Sequence, residues 1–122
     1  MILSHVSVGV GDVAAAVKFY DAVLATLSIT RSHYEENVTA SYGEALEFWV
    51  GTPCEGRPTA GNGVHVAFEA PDRKAVDEFY REALELGGRC AGKPGLRPEY
   101  SDSYYAAFVF DLDGNKIEAV AT

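Results

Sequence analysis

Apolar and small or polar residues alternate at the start of the chain, with Val6, Val8 and Val10 set against His5, Ser7 and Gly9. A period of two predicts a strand over residues 2–10. Asp12 follows Gly11 and reads as a helix N-cap, its carboxylate accepting from the free amides of the first turn. Beyond it Ala16, Phe19, Tyr20, Val23, Leu24 and Leu27 fall at helical spacing on one stripe, which predicts a helix with that stripe on a core. Three further strands are expected over roughly 28–35, 38–42 and 45–50. Residues 51–63 are rich in Gly and Pro and read as a connector.

The same pattern then returns 60 residues later. His5 maps to His65, Val6 to Val66, Asp12 to Asp72, Ala15 to Ala75, Phe19 to Phe79, Tyr20 to Tyr80 and Leu24 to Leu84. An internal repeat of this kind decides architecture before any detail does. The second copy gives a strand over 63–69, Asp72 as cap, and a stripe of Val76, Phe79, Tyr80, Ala83 and Leu84. Gly87-Gly88 ends the helix where a positive φ is wanted. Strands follow over roughly 89–92, 104–110 and 115–121. The last two are joined by the turn-rich Asp111-Leu112-Asp113-Gly114-Asn115. Residues 93–103 read as a second long loop. The expectation is an α+β fold of two tandem βαβββ modules within a single domain, 1–122. Module one covers 1–51, the linker 52–62 and module two 63–122.

Strand parity places the chemistry. Each helix must cover the aliphatic face of its sheet. That face takes Val6, Val8, Val10, Leu46, Phe48 and Val50 in copy one, and Val64, Val66, Phe68, Ile117, Ala119 and Ala121 in copy two. His5, Glu47, His65 and Glu118 then share the opposite face. Two imidazoles and two carboxylates in two-fold arrangement form an N2O2 donor set suited to Zn, Ni, Mn, Co or Fe(II). Such a face could instead be simply wet. Its other residues, Ser7, Gly9, Trp49, Ala67 and Val120, are small or apolar and fit a lined cavity better. Trp49 could stack on a substrate or serve the core. Tyr104 or Tyr105 begins a strand near the cavity mouth and could donate to an oxyanion. Arg97, in Pro94-Gly95-Leu96-Arg97-Pro98, is a candidate clamp for a carboxylate or phosphate, or a solvated loop residue. His33, beside Glu35 and Glu36, reads as exposed and badly placed for the site. Phe19-Tyr20 and Phe79-Tyr80 read as core.

Composition narrows the partners. The 122 residues carry 18 acidic and 10 basic side chains, a net charge of -8. Such a balance repels phosphate backbones and anionic lipid, so nucleic acid and membrane partners are not expected. Met1-Ile2-Leu3-Ser4-His5 lacks a basic, apolar leader pattern, and no apolar run reaches the length of a membrane span. A cytoplasmic protein is expected, with Cys54 and Cys90 as two incidental reduced thiols.

The motifs also resemble one family. His5-Val6-Ser7-Val8-Gly9-Val10 with Asp12 and Phe19-Tyr20, then Leu46-Glu47-Phe48, Gly63-Val64-His65-Val66-Ala67, and Asp111-Leu112-Asp113-Gly114-Asn115-Lys116-Ile117-Glu118 are similar in order and spacing to the vicinal oxygen chelate proteins. Those are the glyoxalase, bleomycin-resistance and dioxygenase-like proteins. Leu112 stands where the family's closing motif has proline. The resemblance implies paired βαβββ modules with antiparallel or mixed sheets, a half-barrel cavity with the helices outside, and often a homodimer with sites completed across the interface. It implies metal ligands at His5, Glu47, His65 and Glu118, the set of metal-dependent glyoxalase I. His5, His65 and Glu118 alone resemble an extradiol dioxygenase triad. Gly9 and Gly61 stand where glutathione-using relatives carry basic residues, so glutathione dependence is not expected.

Three readings follow. A metal-dependent lyase, isomerase or dioxygenase would bind adjacent oxygens of a small molecule. In it Glu47 or Glu118 would be general base, Tyr105 a catalytic phenol donating to an oxyanion, and Trp49, Arg97 and Tyr104 would contact the substrate. The alternative is a metal-free small-molecule or antibiotic-binding protein of the bleomycin-resistance type, which the acidic charge and Trp49 suit. A third is an interaction domain with a vestigial site.

Overall fold

The computed structural model describes residues 2–122, so Met1, the first residue of the N-terminal reading, lies outside the described residues. The repeat is visible element for element, and the two helices keep the 60-residue offset. Strand β1 (Val6–Gly9) leads to helix α1 (Val13–Ala25), then β2 (Arg31–Glu35), β3 (Thr39–Tyr42) and β4 (Phe48–Gly51). Strand β5 (His65–Glu69) leads to α2 (Arg73–Glu85), then β6 (Arg89–Leu96), β7 (Tyr105–Phe110) and β8 (Lys116–Ala121). Asp12 and Asp72 cap their helices identically, each accepting from the amide three residues on.

Each copy folds into its own four-stranded sheet, ordered β1-β4-β3-β2 and β5-β8-β7-β6. First and last strands pair in parallel, β1 with β4 and β5 with β8; the other pairings are antiparallel. Among the described residues the fold is therefore α+β, two helices on two open mixed sheets that do not close into a barrel.

One apolar cluster runs under both sheets. The first stripe is buried throughout, from Ala16 to Leu27. From the second, Val76, Phe79 and Ala83 are buried, Tyr80 is half-buried, and Leu84 is 36% exposed. The helices pack on each other, and Phe48 meets Phe68 edge-on at 4.9 Å between ring centres. Among the described residues no helix is long and apolar enough to cross a membrane. Both cysteines are free and exposed.

The turn Asp111–Asn115 clasps the two copies together. Asp111 is buried, and its carboxylate accepts from the Tyr20 hydroxyl at 2.6 Å. It also accepts from the amides of Asp113 (2.9 Å) and Asn115 (2.8 Å) and from the Asn115 side chain (3.0 Å). The Asn115 side chain donates in turn to the Gly9 carbonyl at 3.0 Å, and Asp113 accepts from the Gly11 amide at 2.8 Å. Burial beside Asp111 drives the Tyr20 phenol well above its ordinary pKa, so it stays a donor.

Three expectations need correction. Leu46 and Val64 were placed on the helix-covered faces but are 41% and 61% exposed. Leu46 takes a left-handed φ of 59° and Gly63 one of 93°, so strand alternation starts only after each. Residues 93–96 are strand rather than loop: β6 runs to Leu96 through two register shifts, and Pro94 is tolerated because β6 is an edge strand. The predicted first strand of 28–35 shortens to Arg31–Glu35, because Ser28 also takes a positive φ of 63°.

Candidate functional site

On the second sheet, strand register lines up Gly92, Phe108, Glu118 and Ala67 across the face turned away from α2. Glu118 is only 1% exposed, the kind of charge a fold buries only with partners. Its Oε1 lies 3.1 Å from His65 Nε2, and its Oε2 accepts from the Tyr104 hydroxyl at 2.6 Å. His65 keeps 44% of its side chain exposed, so the pair opens to solvent through the imidazole. Its ring stands edge-on to Phe108 at 5.9 Å, and Tyr104 rests against Tyr100 at 5.0 Å. The hydrogen bond to Glu118, then burial and the nearby carboxylate charge, push the Tyr104 phenol up to about 12.

Tyr104 is therefore a neutral donor throughout the physiological range. Because its pKa is raised on folding, the linked stabilisation is complete below the ordinary value of 10.0 and is lost as pH rises through about 12. A spectrophotometric titration of Tyr104→Phe against the parent should lose one tyrosine that ionises near 12. Loss of one that ionises near 10.0 would show that the bond to Glu118 is not made.

Tyr105 does not share this placement. It lies half a strand period away, donates to Asp77 of α2 at 2.6 Å and carries Arg73 over its ring. Of the two phenols, the structure brings Tyr104 to Glu118 and turns Tyr105, the expected catalytic phenol, toward α2. Residue 104 shares the face of Phe108, and residue 105 that of Val109.

Arg97 folds back over the second sheet. Its guanidinium donates to the Lys93 carbonyl at 2.7 Å and stands 5.5 Å from the Phe108 ring centre. Lys116 reaches the same ring, at 5.2 Å. Lys116 was not singled out from sequence, although its spacing of two from Glu118 carried the signal.

The first sheet carries the other half of the expected set. Ser7, Trp49, Ser41 and His33 form one row across it. Trp49 is half-buried, donates to the Leu46 carbonyl at 2.8 Å, and has His5 and His33 at 6.4 and 5.9 Å from its ring centre. His33 is exposed as expected, but it is not remote from the face. A register shift between Arg31 and His33 brings it opposite Ser41, a bulge that sequence periodicity does not reveal. A cavity of about 460 Å³ opens over Ser7, Gly9, Thr39 and Trp49, walled by Arg57 and Pro58 of the connector.

His5 and Glu47 line a second cavity of about 470 Å³, together with Tyr42, Phe48, Ala67 and Phe68. His5 Nδ1 lies 3.0 Å from the Ser4 hydroxyl, which leaves Nε2 free of protein partners among the described residues. Glu47 turns back to accept from the Ala45 amide at 2.8 Å. So the four expected ligands come as two pairs, and no group of three metal-binding side chains converges among the described residues of one chain. The pair on the second sheet fits half a centre: donors 3.1 Å apart match two adjacent ligands each about 2.1 Å from one small divalent ion.

At Gly9 the room for a basic side chain is taken. A Cβ there would stand 3.3 Å from Pro58, and one at Gly61 would meet Val64 at 2.9 Å.

The glyoxalase/bleomycin resistance protein/dioxygenase superfamily model matches residues 2–119. A glyoxalase/bleomycin resistance protein from Albidiferax ferrireducens is 34% identical, with all of both chains covered and a TM-score of 0.91. A glyoxalase-related enzyme from Fulvimarina pelagi (14% identity, 98% of this chain and 87% of that one, TM-score 0.77) shares the fold. So does a genomically encoded fosfomycin resistance protein from Listeria monocytogenes (17% identity, 100% and 93%, TM-score 0.70). No curated protein matches the chain. A model spanning nearly the whole chain, and a full-length structure a third identical to it, agree with the twice-repeated βαβββ unit: the chain belongs to the glyoxalase/bleomycin resistance protein/dioxygenase superfamily.

Proposed function

We propose that this protein is a metal-dependent enzyme of the lyase/isomerase or dioxygenase type. It acts on a small molecule with adjacent oxygens, as a homodimer. The observation that carries the reading is Glu118: a buried carboxylate, opened to solvent by a histidine and held by a phenol, on the sheet face turned away from the helix. In the dimer, His5 and Glu47 of one protomer complete the centre begun by His65 and Glu118 of the other, which accounts for the two separated pairs in one chain.

A divalent Zn, Ni, Mn, Co or Fe ion held there would supply Lewis acidity toward the substrate oxygens. The protein's own groups do the rest. Glu118, or Glu47 from the facing sheet, takes a proton from the substrate and returns it. Tyr104, protonated at neutral pH, offers its hydrogen to the oxygen on which charge develops. Trp49 supplies an aromatic wall.

Metal content and complementation test this together. The parent, reloaded after stripping, should retain about one ion per chain, and His5→Ala and His65→Ala should each retain none. Unfolding and refolding the two variants together should restore about a quarter of the parent's metal. Half of the randomly paired dimers then hold one intact centre of two. Restoration cannot occur if each centre lies within one chain. A parent that retains no metal under any loading condition overturns the enzyme reading in favour of the metal-free binding protein.

A further inference from the structure

Basic side chains are scarce in this chain, 10 against 18 acidic ones. The ion pairs found are Arg31–Asp21, Lys74–Glu78 and His65–Glu118. Arg97 and Lys116 therefore stand on the open face of the second sheet with no carboxylate in reach among the described residues. Both approach Phe108, the one from just beyond β6 and the other from β8, the strands on either side of β7. Phe108 stands directly opposite Glu118 in register, and that carboxylate is already engaged by Tyr104 and His65.

The placement of Arg97 is built into the backbone. Its amide donates to the Tyr104 carbonyl at 2.8 Å, and its carbonyl accepts from the Tyr100 amide at 3.0 Å, so it is fixed at the end of a closed hairpin. Beneath it β6 has glycine at two positions: a Cβ at Gly92 would come within 3.3 Å of Arg97 Nη2, and one at Gly95 within 3.2 Å of Nη1. Two glycines thus let the guanidinium lie on the strand. One of its nitrogens is spent on Lys93, and the rest of the fork is free. Lys116 also borders a cavity of about 430 Å³ whose other walls are Gly61, Asn62, Gly63, Gly114 and nearby apolar residues, and among the described residues it is the only charged one lining it.

We propose that this face binds the anionic group of the substrate, a small carboxylate, phosphonate or phosphate, between Arg97 and Lys116, with Phe108 as its apolar floor and His65 at its edge. This rests on the reading of the same face as the enzyme's site and gives that site a substrate class. An anion held there is presented beside His65, Glu118 and Tyr104. A cationic drug is disfavoured at the same place by two uncompensated positive charges.

Calorimetric titration with inorganic phosphate, methylphosphonate and benzoate tests it, on metal-loaded and chelator-stripped protein, with metal content assayed on the same samples. At least one of the three should bind the stripped parent. Arg97→Gln and Lys116→Gln should each weaken it about tenfold to a hundredfold, the loss of one charge-assisted hydrogen bond. Arg81→Gln, the same charge change on the exposed side of α2, should leave binding as it was. Gly95→Ala, which disturbs only the guanidinium's bed, should weaken binding in the same sense as Arg97→Gln. No binding of any of the three anions, or equal weakening by Arg81→Gln, overturns the proposal. Anion binding without retained metal removes the metal chemistry and keeps the anion site. Retained metal without anion binding does the reverse.

Discussion

Asp111→Ala will lower the stability of this protein by about 3–5 kcal/mol. The carboxylate satisfies four donors in a buried turn, and alanine leaves the Tyr20 hydroxyl without its acceptor and the Asn115 side chain with the Gly9 carbonyl alone. Each unsatisfied buried group costs about 1–3 kcal/mol, against a total stability of about 5–15 kcal/mol for a domain of this kind. Tyr20→Phe removes one of those donors together with its need and should cost about 1–2 kcal/mol. Because both changes act on one network, the double variant should cost less than the two singly added. Urea denaturation reads all three. A loss below about 1 kcal/mol for Asp111→Ala would mean that water takes over the turn and that the clasp does not hold the two copies together.

The second large effect is expected at Glu118. Glu118→Gln keeps the volume and can still accept from Tyr104, so the variant should fold and unfold cooperatively close to the parent. It removes the buried negative charge. Metal affinity should fall at least about a hundredfold, more than the loss of an outer hydrogen bond produces, and turnover of any substrate should fall with it. The same change at Asp77, which holds Tyr105 on the helix side, should leave metal retention untouched. Equal metal retention by Glu118→Gln and the parent would move Glu118 from ligand to framework.

Sequence periodicity carried the architecture because both copies spell it twice. Asp12 and Asp72, Phe19 and Phe79, and the two helices themselves recur at one offset, and local capping and burial follow from residues close in sequence. Parity also put Glu118, within a regular strand, on the face turned away from α2; it did not choose between Tyr104 and Tyr105, because Tyr104 precedes β7. It failed wherever a residue with positive φ reset the alternation. Leu46 did so before β4, leaving Glu47 turned into its own loop, and Gly63 did so before β5. It failed again at the bulge that swings His33 toward Trp49. The separation of His5 and Glu47 from His65 and Glu118 was not legible either. Two-fold symmetry of a sequence does not say whether its halves face each other within one chain or across two.

The clasp has a further consequence for how the chain comes to be folded. Tyr20 and Asp111 are 91 residues apart, Gly11 and Asp113 are 102 apart, and Gly9 and Asn115 are 106 apart. The residues of the first copy thus wait on partners near the far end of the chain. Closing loops of that length before any reward arrives slows folding. During synthesis the first copy emerges complete in sequence yet with the Tyr20 hydroxyl unmatched, and the clasp forms only once the last turn has left the ribosome. A ribosome stalled before Asp111 should hold a protease-sensitive chain, and one stalled well past Thr122 on a linker should hold a resistant one.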